Sequence, residues 1–336
     1  MENKARVISE YKGAYKVKNE NGEFLGKVTG KNMFTALSRE DYPAVGDWVL
    51  IDELPEAQAV IREILPRQTI IKRKAIGEKG ATQIIATNID VAFVVQSIGR
   101  DYNLNRFERY FAILGDDGIR PVIILNKVDL VSKEELAETL AQIKNRFPRI
   151  DTIATSIVAN DGLDELKKYI EKDKTYCFLG SSGVGKSSLI NKLIGENLIK
   201  TEDISSYSDR GKHITTGRQM YFLENGGVLI DNPGMREVGM AGAGEGIDDL
   251  FDEITKLSKM CKYKDCTHTH EAGCEVLSAV KSGKIDKEKY QNYLNLKKES
   301  QYYEMSETEK RQKDRDFGKF LKTAKKSLKD HGKYNY

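Results

Sequence analysis

Four short stretches of this chain hold residues whose types and spacing imply chemistry. Gly180-Ser181-Ser182-Gly183-Val184-Gly185-Lys186-Ser187 fits G-x-x-x-x-G-K-[ST], a loop that wraps the phosphates of a nucleoside triphosphate. Its glycines let backbone N–H groups converge on phosphate oxygens with no Cβ in the way. The helix that follows, from Ser188, adds its positive end. Lys186 reaches the β- and γ-phosphates, and the Ser187 hydroxyl binds Mg²⁺. Asn126-Lys127-Val128-Asp129 fits N-K-x-D. There Asp129 accepts two hydrogen bonds from the N1–H and exocyclic amine of guanine. Adenine has no donor at N1 and would leave the carboxylate unpaired, a mismatch that discriminates strongly. The Lys127 stem packs over the base and Asn126 braces the neighbouring loop. Asp231-Asn232-Pro233-Gly234 fits D-x-P-G: Asp231 would hold Mg²⁺ through water and the Gly234 N–H would meet the γ-phosphate. Last, Cys261-x4-Cys266-x-His268-x5-Cys274 offers three thiolates and an imidazole, a closed tetrahedral set for one structural Zn²⁺, with His270 as a competing ligand.

Elements of the right kind surround these motifs. Thr175–Leu179 is β-branched and aromatic and reads as a strand, and residues 188–194 carry apolar side chains at helical spacing and stop at Gly195. Strand, glycine-rich loop and helix are the context the phosphate loop requires. Ile89–Val95 and Val122–Leu125 are continuous apolar runs, as strands buried on both faces of a parallel sheet must be. The N-K-x-D residues follow the second of these, at a carboxyl end, where open α/β sheets bind ligands. Helices are expected from Leu104 to Leu114 and from Lys133 to Phe147. Asp151–Ser156 is a further strand ending in small hydroxyls, and Ser156 would back the guanine. Before residue 72, about five short strand-like runs alternate with Asn21-Gly22, Thr29-Gly30 and Val45-Gly46-Asp47 turns, which suggests a small closed barrel such as the OB-fold. Tyr11, Tyr15, Phe24, Phe34 and Trp48 are base-stacking candidates or core residues. Arg62, Arg67, Lys72, Arg73 and Lys74 read as a basic connector.

The order of the motifs is informative. In ordinary GTPases the phosphate loop comes first and N-K-x-D last; here Asn126–Asp129 precedes Gly180, so the sheet is circularly permuted. The second switch therefore runs straight into the C-terminal part, and loss of the γ-phosphate is expected to move that part. Gly211-Lys212-His213-Ile214-Thr215-Thr216 is a candidate first switch, with a threonine for Mg²⁺ and the γ-phosphate. Met235 stands where many GTPases have a water-orienting glutamine, so intrinsic hydrolysis should be slow. His213 is then a catalytic candidate, or equally a structural or partner-sensing histidine. The net charge of +3 hides a basic C-terminal stretch, Arg311 to Lys333, opposed by only Asp314, Asp316 and Asp330. That stretch suits RNA or is a solvated helix face. Met1 is followed by no apolar signal region and no run approaches a membrane span, so a cytoplasmic protein without membrane attachment is expected. Nothing in the sequence requires more than a monomer.

Together these residues resemble the ribosome-small-subunit-dependent GTPase A family (RsgA, also called YjeQ) over nearly the whole chain. The resemblance rests on the barrel with Val45-Gly46-Asp47, the permuted motifs, Gly211-x-His213-x-Thr215-Thr216, Asp231-x-Pro233-Gly234 and the cysteine–histidine cluster. It implies an OB-fold RNA-binding domain in residues 1–72, a circularly permuted P-loop GTPase domain in 73–242, and a zinc-binding helical domain with a basic tail in 243–336. It implies binding to the small ribosomal subunit and its rRNA, a role late in that subunit's assembly, and GTP hydrolysis to GDP stimulated by the subunit. The family's zinc ligands fall on Cys261, Cys266, His268 and Cys274, and its switch histidine and threonine on His213 and Thr215. Two departures stand out. The family's His-Thr-Thr-Thr is His213-Ile214-Thr215-Thr216 here, leaving Thr215 and Thr216 as rival Mg²⁺ ligands, and the tail after Ser306 is longer than the family core. Two function classes follow: a GTPase whose cycle gates release from an immature subunit, or a GTP-sensing RNA-binding module whose hydrolysis is incidental.

Overall fold

The structure is a computed structural model that describes residues 3–30, 38–74, 82–99, 102–115, 118–195, 199, 218–232 and 243–331. Its N-terminal part is a five-stranded barrel: β1 (Lys4–Tyr11), β2 (Ala14–Asn19), β3 (Gly22–Val28), β4 (Trp48–Leu54) and β5 (Gln58–Ile64). The strands run in the order β1-β2-β3-β5-β4, and β4 pairs back onto β1 to close the ring. Closure removes the free edges that would otherwise invite pairing with another chain. Alternate residues Ala5, Val7, Tyr15, Val17, Val49, Ile51, Ala59 and Ile61 fill the interior. Tyr15 is thus core, and Phe24 packs on the same cluster. Tyr11 is exposed, and Trp48 is half-buried with the Lys4 amine 4.2 Å and the Arg6 guanidinium 5.0 Å from its ring. Phe34 lies outside the described residues.

The basic connector is more ordered than its composition suggests. β6 (Ile70–Lys74) and β7 (Thr82–Thr87) form an antiparallel hairpin. Arg67, just before it, forks onto the fully buried Asp47 at 2.8 and 2.7 Å and donates to the Glu40 and Tyr42 carbonyls. The Thr87 hydroxyl donates to the same carboxylate at 2.7 Å. Lys72 pairs with Glu40 and Arg62 with Asp52. The arginine is drawn in because Asp47 is a buried charge that must be matched.

The central sheet holds β8 (Val91–Ser97), β9 (Arg120–Asn126), β10 (Asp151–Thr155), β11 (Thr175–Leu179), β12 (Gln219–Phe222) and β13 (Val228–Asp231). Its order is β10-β9-β8-β11-β13-β12, parallel except for β12, and β12 continues through β1 into the barrel to give eleven strands in one sheet. Successive side chains go to opposite faces. Val94, Ile123, Leu125, Cys177 and Ile230 pack on one side, and Phe93, Val95, Val122, Ile124, Phe178 and Leu229 on the other. This is why the strand sequences are apolar without alternation. α1 (Leu104–Leu114) and α2 (Lys133–Arg146) cover the first face, and α3 (Leu163–Tyr169) and α4 (Lys186–Ile194) the second.

Five further helices complete the described chain: α5 (Gly244–Leu250), α6 (Asp252–Ser258), α7 (Glu275–Lys281), α8 (Lys287–Glu304) and α9 (Glu307–His331). Ile247, Phe251, Ile254, Val276, Tyr293 and Leu296 form their core, and Ala112 of α1 belongs to the same cluster. Among the described residues, no helix is long and apolar enough to cross a membrane.

Candidate guanine-nucleotide and metal sites

The chain leaves β8 outward through β9 and β10, then returns to the other side of β8 as β11. Such a reversal opens a crevice at the carboxyl ends of the strands, and the motif residues meet there. β11 ends at Leu179 and the phosphate loop carries the chain into α4. Gly185 has φ +98°, and a Cβ there would lie 2.3 Å from the Asn126 amide nitrogen. Only glycine meets both demands.

Asn126 itself is fully buried at the end of β9. Its amide donates to the Val184 carbonyl at 2.8 Å and its oxygen accepts from the Thr155 hydroxyl at 3.0 Å. Lys127, held in the left-handed region at φ +63°, donates to the Gly183 carbonyl at 2.8 Å. Thus both residues bind the phosphate loop to the base-reading strand. Asp129 is exposed, and the Ser156 hydroxyl donates to its Oδ1. The Ala159 N–H donates in turn to Ser156 Oγ at 3.0 Å. Ser156 thus stands beside Asp129, and the neighbouring Ile157 packs on the sheet's second face.

On the phosphate side, Lys186 is almost completely buried, and its amine donates to the Gly180 and Ser181 carbonyls at 2.8 and 2.7 Å. Burial pushes its pKa down to about 8, against the attraction of Asp231. Asp231 ends β13, and burial raises its pKa, with Lys186 and Ser187 opposing the shift. Desolvation thus outweighs the mutual attraction at both groups, and each is driven toward its neutral form. Ser187 Oγ lies 3.3 Å from Asp231 Oδ2, while the buried Oδ1 has no hydrogen-bond partner among the described residues. An orphaned buried carboxylate oxygen beside a serine hydroxyl is the donor set a hard divalent cation takes. Mg²⁺ fits these residues: Ser187 and Asp231 would hold it, and it would neutralise charge on the phosphates. His213, Thr215, Thr216, Gly234 and Met235 lie outside the described residues.

The second site forms a tight knot before α7. Cys261, Cys266, His268 and Cys274 bring their ligand atoms within 4.8 Å of one another. Cys261 Sγ and Cys274 Sγ are 3.8 Å apart, and each is 3.6 or 3.5 Å from His268 Nδ1. Metal–sulfur bonds of about 2.3 Å and metal–nitrogen bonds of about 2.0–2.1 Å in a tetrahedron give edges of about 3.5–3.8 Å, so the four residues can hold a metal ion. His268 reaches this position through a left-handed backbone at φ +60°, and its carbonyl accepts from Tyr290 Oη at 2.6 Å. Cys274 caps α7, with its sulfur accepting from the Leu277 N–H at 3.4 Å. His270 is exposed, bonded to Thr269, and outside the cluster. Cys177 is also apart from it; buried in the middle of β11, its thiol is pushed up by desolvation and lies 2.8 Å from the Asn232 amide nitrogen.

Sequence reasoning missed Thr155, which braces Asn126 and was visible only as a small hydroxyl at a strand end.

This fold and site define a circularly permuted P-loop GTPase. Comparison with known proteins agrees. A family model described as RsgA GTPase matches residues 64–241, and one described as 50S ribosome-binding GTPase matches residues 175–310. A relative from Bacteroides thetaiotaomicron named "Small ribosomal subunit biogenesis GTPase RsgA 1" is 38% identical over 323 residues, covering 96% of this chain and 90% of its own. One from Methanosarcina acetivorans, "Small ribosomal subunit biogenesis GTPase RsgA", is 43% identical over 273 residues, or 81% and 73% of the two chains. Among solved structures, YjeQ from Thermotoga maritima superposes with a TM-score of 0.66 at 24% identity, over 88% of this chain and 97% of that one. YloQ, described as a circularly permuted GTPase, gives 0.59 at 22% identity over 88% and 93%. At those identities the structures bear on the fold alone. The chain belongs to the RsgA GTPase family.

Proposed function

We propose that this GTPase serves small-ribosomal-subunit biogenesis: it binds the subunit and its rRNA late in assembly, and subunit-stimulated GTP hydrolysis drives its release. The reading is supported by the bonds from Asn126 and Lys127 to the Gly180–Ser187 loop and from Ser156 to Asp129, in a chain whose relatives bear that role in their names. The division of labour follows the parts 1–72, 73–242 and 243–336. The barrel and the basic helix α9, where Arg311, Lys313, Arg315 and Lys319 are exposed, supply cationic and aromatic surface for rRNA. The middle part reads the nucleotide. The Cys261, Cys266, His268 and Cys274 cluster takes Zn²⁺, since three thiolates and one imidazole without an open position favour that ion. Asp231 and Ser187, joined by Thr215, take Mg²⁺ with GTP. His213 acts on the attacking water, in place of the glutamine that Met235 replaces. The protein works as a cytoplasmic monomer.

The test is GTP turnover with and without purified small subunits, at low and moderate salt. Strong stimulation by small but not large subunits is expected, and it should be lost in His213→Ala while GDP binding survives. No stimulation, with salt-sensitive RNA binding retained, would sink the reading and leave a GTP-controlled RNA-binding protein.

A further inference from the structure

Between Cys266 and Cys274 the chain runs Thr267-His268-Thr269-His270-Glu271-Ala272-Gly273. Thr267, Thr269 and His270 are exposed, while His268 between them is buried with its Nδ1 beside the Cys261 and Cys274 sulfurs. From 267 to 271 no side chain is apolar, so hydrophobic packing does not set this turn. The Glu271 carboxylate does. Its Oε1 accepts from the Thr267 N–H at 2.8 Å and from the Thr267 hydroxyl. Its Oε2 accepts from the N–H groups of Thr269 and His270 at 3.0 and 3.1 Å. Three backbone donors and one hydroxyl, from both sides of His268, thus converge on one side chain. The Thr267 and Thr269 hydroxyls close the ring at 2.7 Å. Within it His268 takes φ +60°, which a residue other than glycine keeps only where its surroundings hold it. Glu271 is not one of the four residues whose ligand atoms converge.

We propose that Glu271 is a positioning residue for the metal: its carboxylate gathers the Thr267–His270 turn and so aims the His268 imidazole at Cys261 and Cys274. The inference rests on the reading of Cys261, Cys266, His268 and Cys274 as a zinc site. Water could satisfy the same donors one at a time, but it would not tie the donors before His268 to those after it. A carboxylate does so because it has two oxygens and only accepts. Glutamine cannot take its place, since an amide has one oxygen and its NH2 would face the donors left over. An imidazole that is not held must be ordered as the metal binds, and groups that orient ligands are felt in metal affinity for that reason.

The test is competition for Zn²⁺ between the full-length protein and a chromophoric chelator. Glu271→Ala should hold zinc about ten- to a hundredfold more weakly than wild type, and Glu271→Gln nearly as weakly. With Co²⁺ in place of Zn²⁺, both saturated variants should keep the wild-type absorption of a tetrahedral site with three sulfurs and one nitrogen, because no ligand has been lost. The metal-free forms should melt like metal-free wild type, which a general loosening of the fold would not allow. Thr267→Val removes the hydroxyl alone and should weaken zinc binding about fivefold, the value of one net hydrogen bond; it decides the question if Glu271→Ala does not fold. Wild-type zinc affinity in any of the three variants, or an altered cobalt spectrum in the Glu271 variants, would overturn the inference. A wild-type protein that takes up neither zinc nor cobalt would instead sink the reading of the cluster itself.

Discussion

Raising the pH from 7 to 9 should weaken nucleotide binding about tenfold through Lys186 alone. Burial holds this amine down to about 8 in the ligand-free protein. About nine-tenths of the molecules therefore carry the ammonium at pH 7, and about one-tenth at pH 9. The phosphates of a bound nucleotide favour the charged amine and raise its pKa again. Binding at pH 9 must then include protonation, at a cost of about 1.4 kcal/mol relative to pH 7. Titration with a fluorescent GDP in the presence of Mg²⁺ at pH 7, 8 and 9 reads the slope. Calorimetry at pH 8 in two buffers of different ionisation enthalpy should show uptake of about half a proton. Lys186→Ala supplies the reference, because its residual slope reports titration of the nucleotide and of other groups. A wild-type slope no steeper than that of Lys186→Ala, or net proton release, would refute the reasoning. The sign for folding is the reverse. The folded pKa lies below the ordinary 10.5, so the cost of burying the ammonium is full below about 8 and fades as pH rises toward 10.5. Ligand-free wild type should accordingly gain stability relative to Lys186→Ala across that window.

Three other outcomes are expected. Asp129→Asn should lose guanine nucleotides and gain xanthosine nucleotides, whose base offers an acceptor where guanine has its exocyclic amine; unchanged GDP affinity would place base reading elsewhere. Cys274→Ser, or treatment with a strong chelator, should remove one equivalent of metal and lower the melting temperature, because the Cys274 side chain is also packed in the α5–α8 core; a variant that keeps stoichiometric metal would exclude it as a ligand. Arg67→Ala should cost about 3–5 kcal/mol by urea denaturation, as it strands the fully buried Asp47 carboxylate, and Arg67→Lys should recover little because one ammonium cannot reproduce the two-pronged contact.

Most of the site was legible in the sequence because its parts are local. The phosphate loop, Asn126–Asp129 and the cysteine cluster are each set by spacing within one short stretch, and the apolar runs of β8, β9 and β11 fix which end of the sheet the first two occupy. The barrel was legible from its turns. What spacing does not carry is contact between distant segments. Arg67 reads as part of a basic connector, yet it is pinned by Asp47, twenty residues earlier in the chain. His268 and His270 are equally good ligands by spacing. The left-handed turn at His268 and the bond from Tyr290 to its carbonyl choose between them.

The permuted order has a mechanical consequence that an ordinary order would lack. The Gly211–Thr216 stretch runs directly into Arg218 and β12. Arg218 donates to the Ile84 carbonyl at 2.9 Å and lies 3.6 Å from Glu10, while the Ser9 hydroxyl donates to the Arg218 carbonyl at 3.2 Å. β12 then pairs with β1 of the barrel. The Asp231–Gly234 stretch runs the other way, into α5, whose Gly246 is pressed against α1. Each of the two stretches whose sequence reads as a γ-phosphate sensor is therefore continuous in sequence with an element anchored on a different flanking part. If those stretches sense the phosphate, the chain has two covalent routes outward, one to the barrel and one to the C-terminal helices. Cutting the ancestral sheet before the guanine-reading strand leaves both routes intact, because the strand that carries Asn126–Asp129 lies on the far side of β8 from each of them.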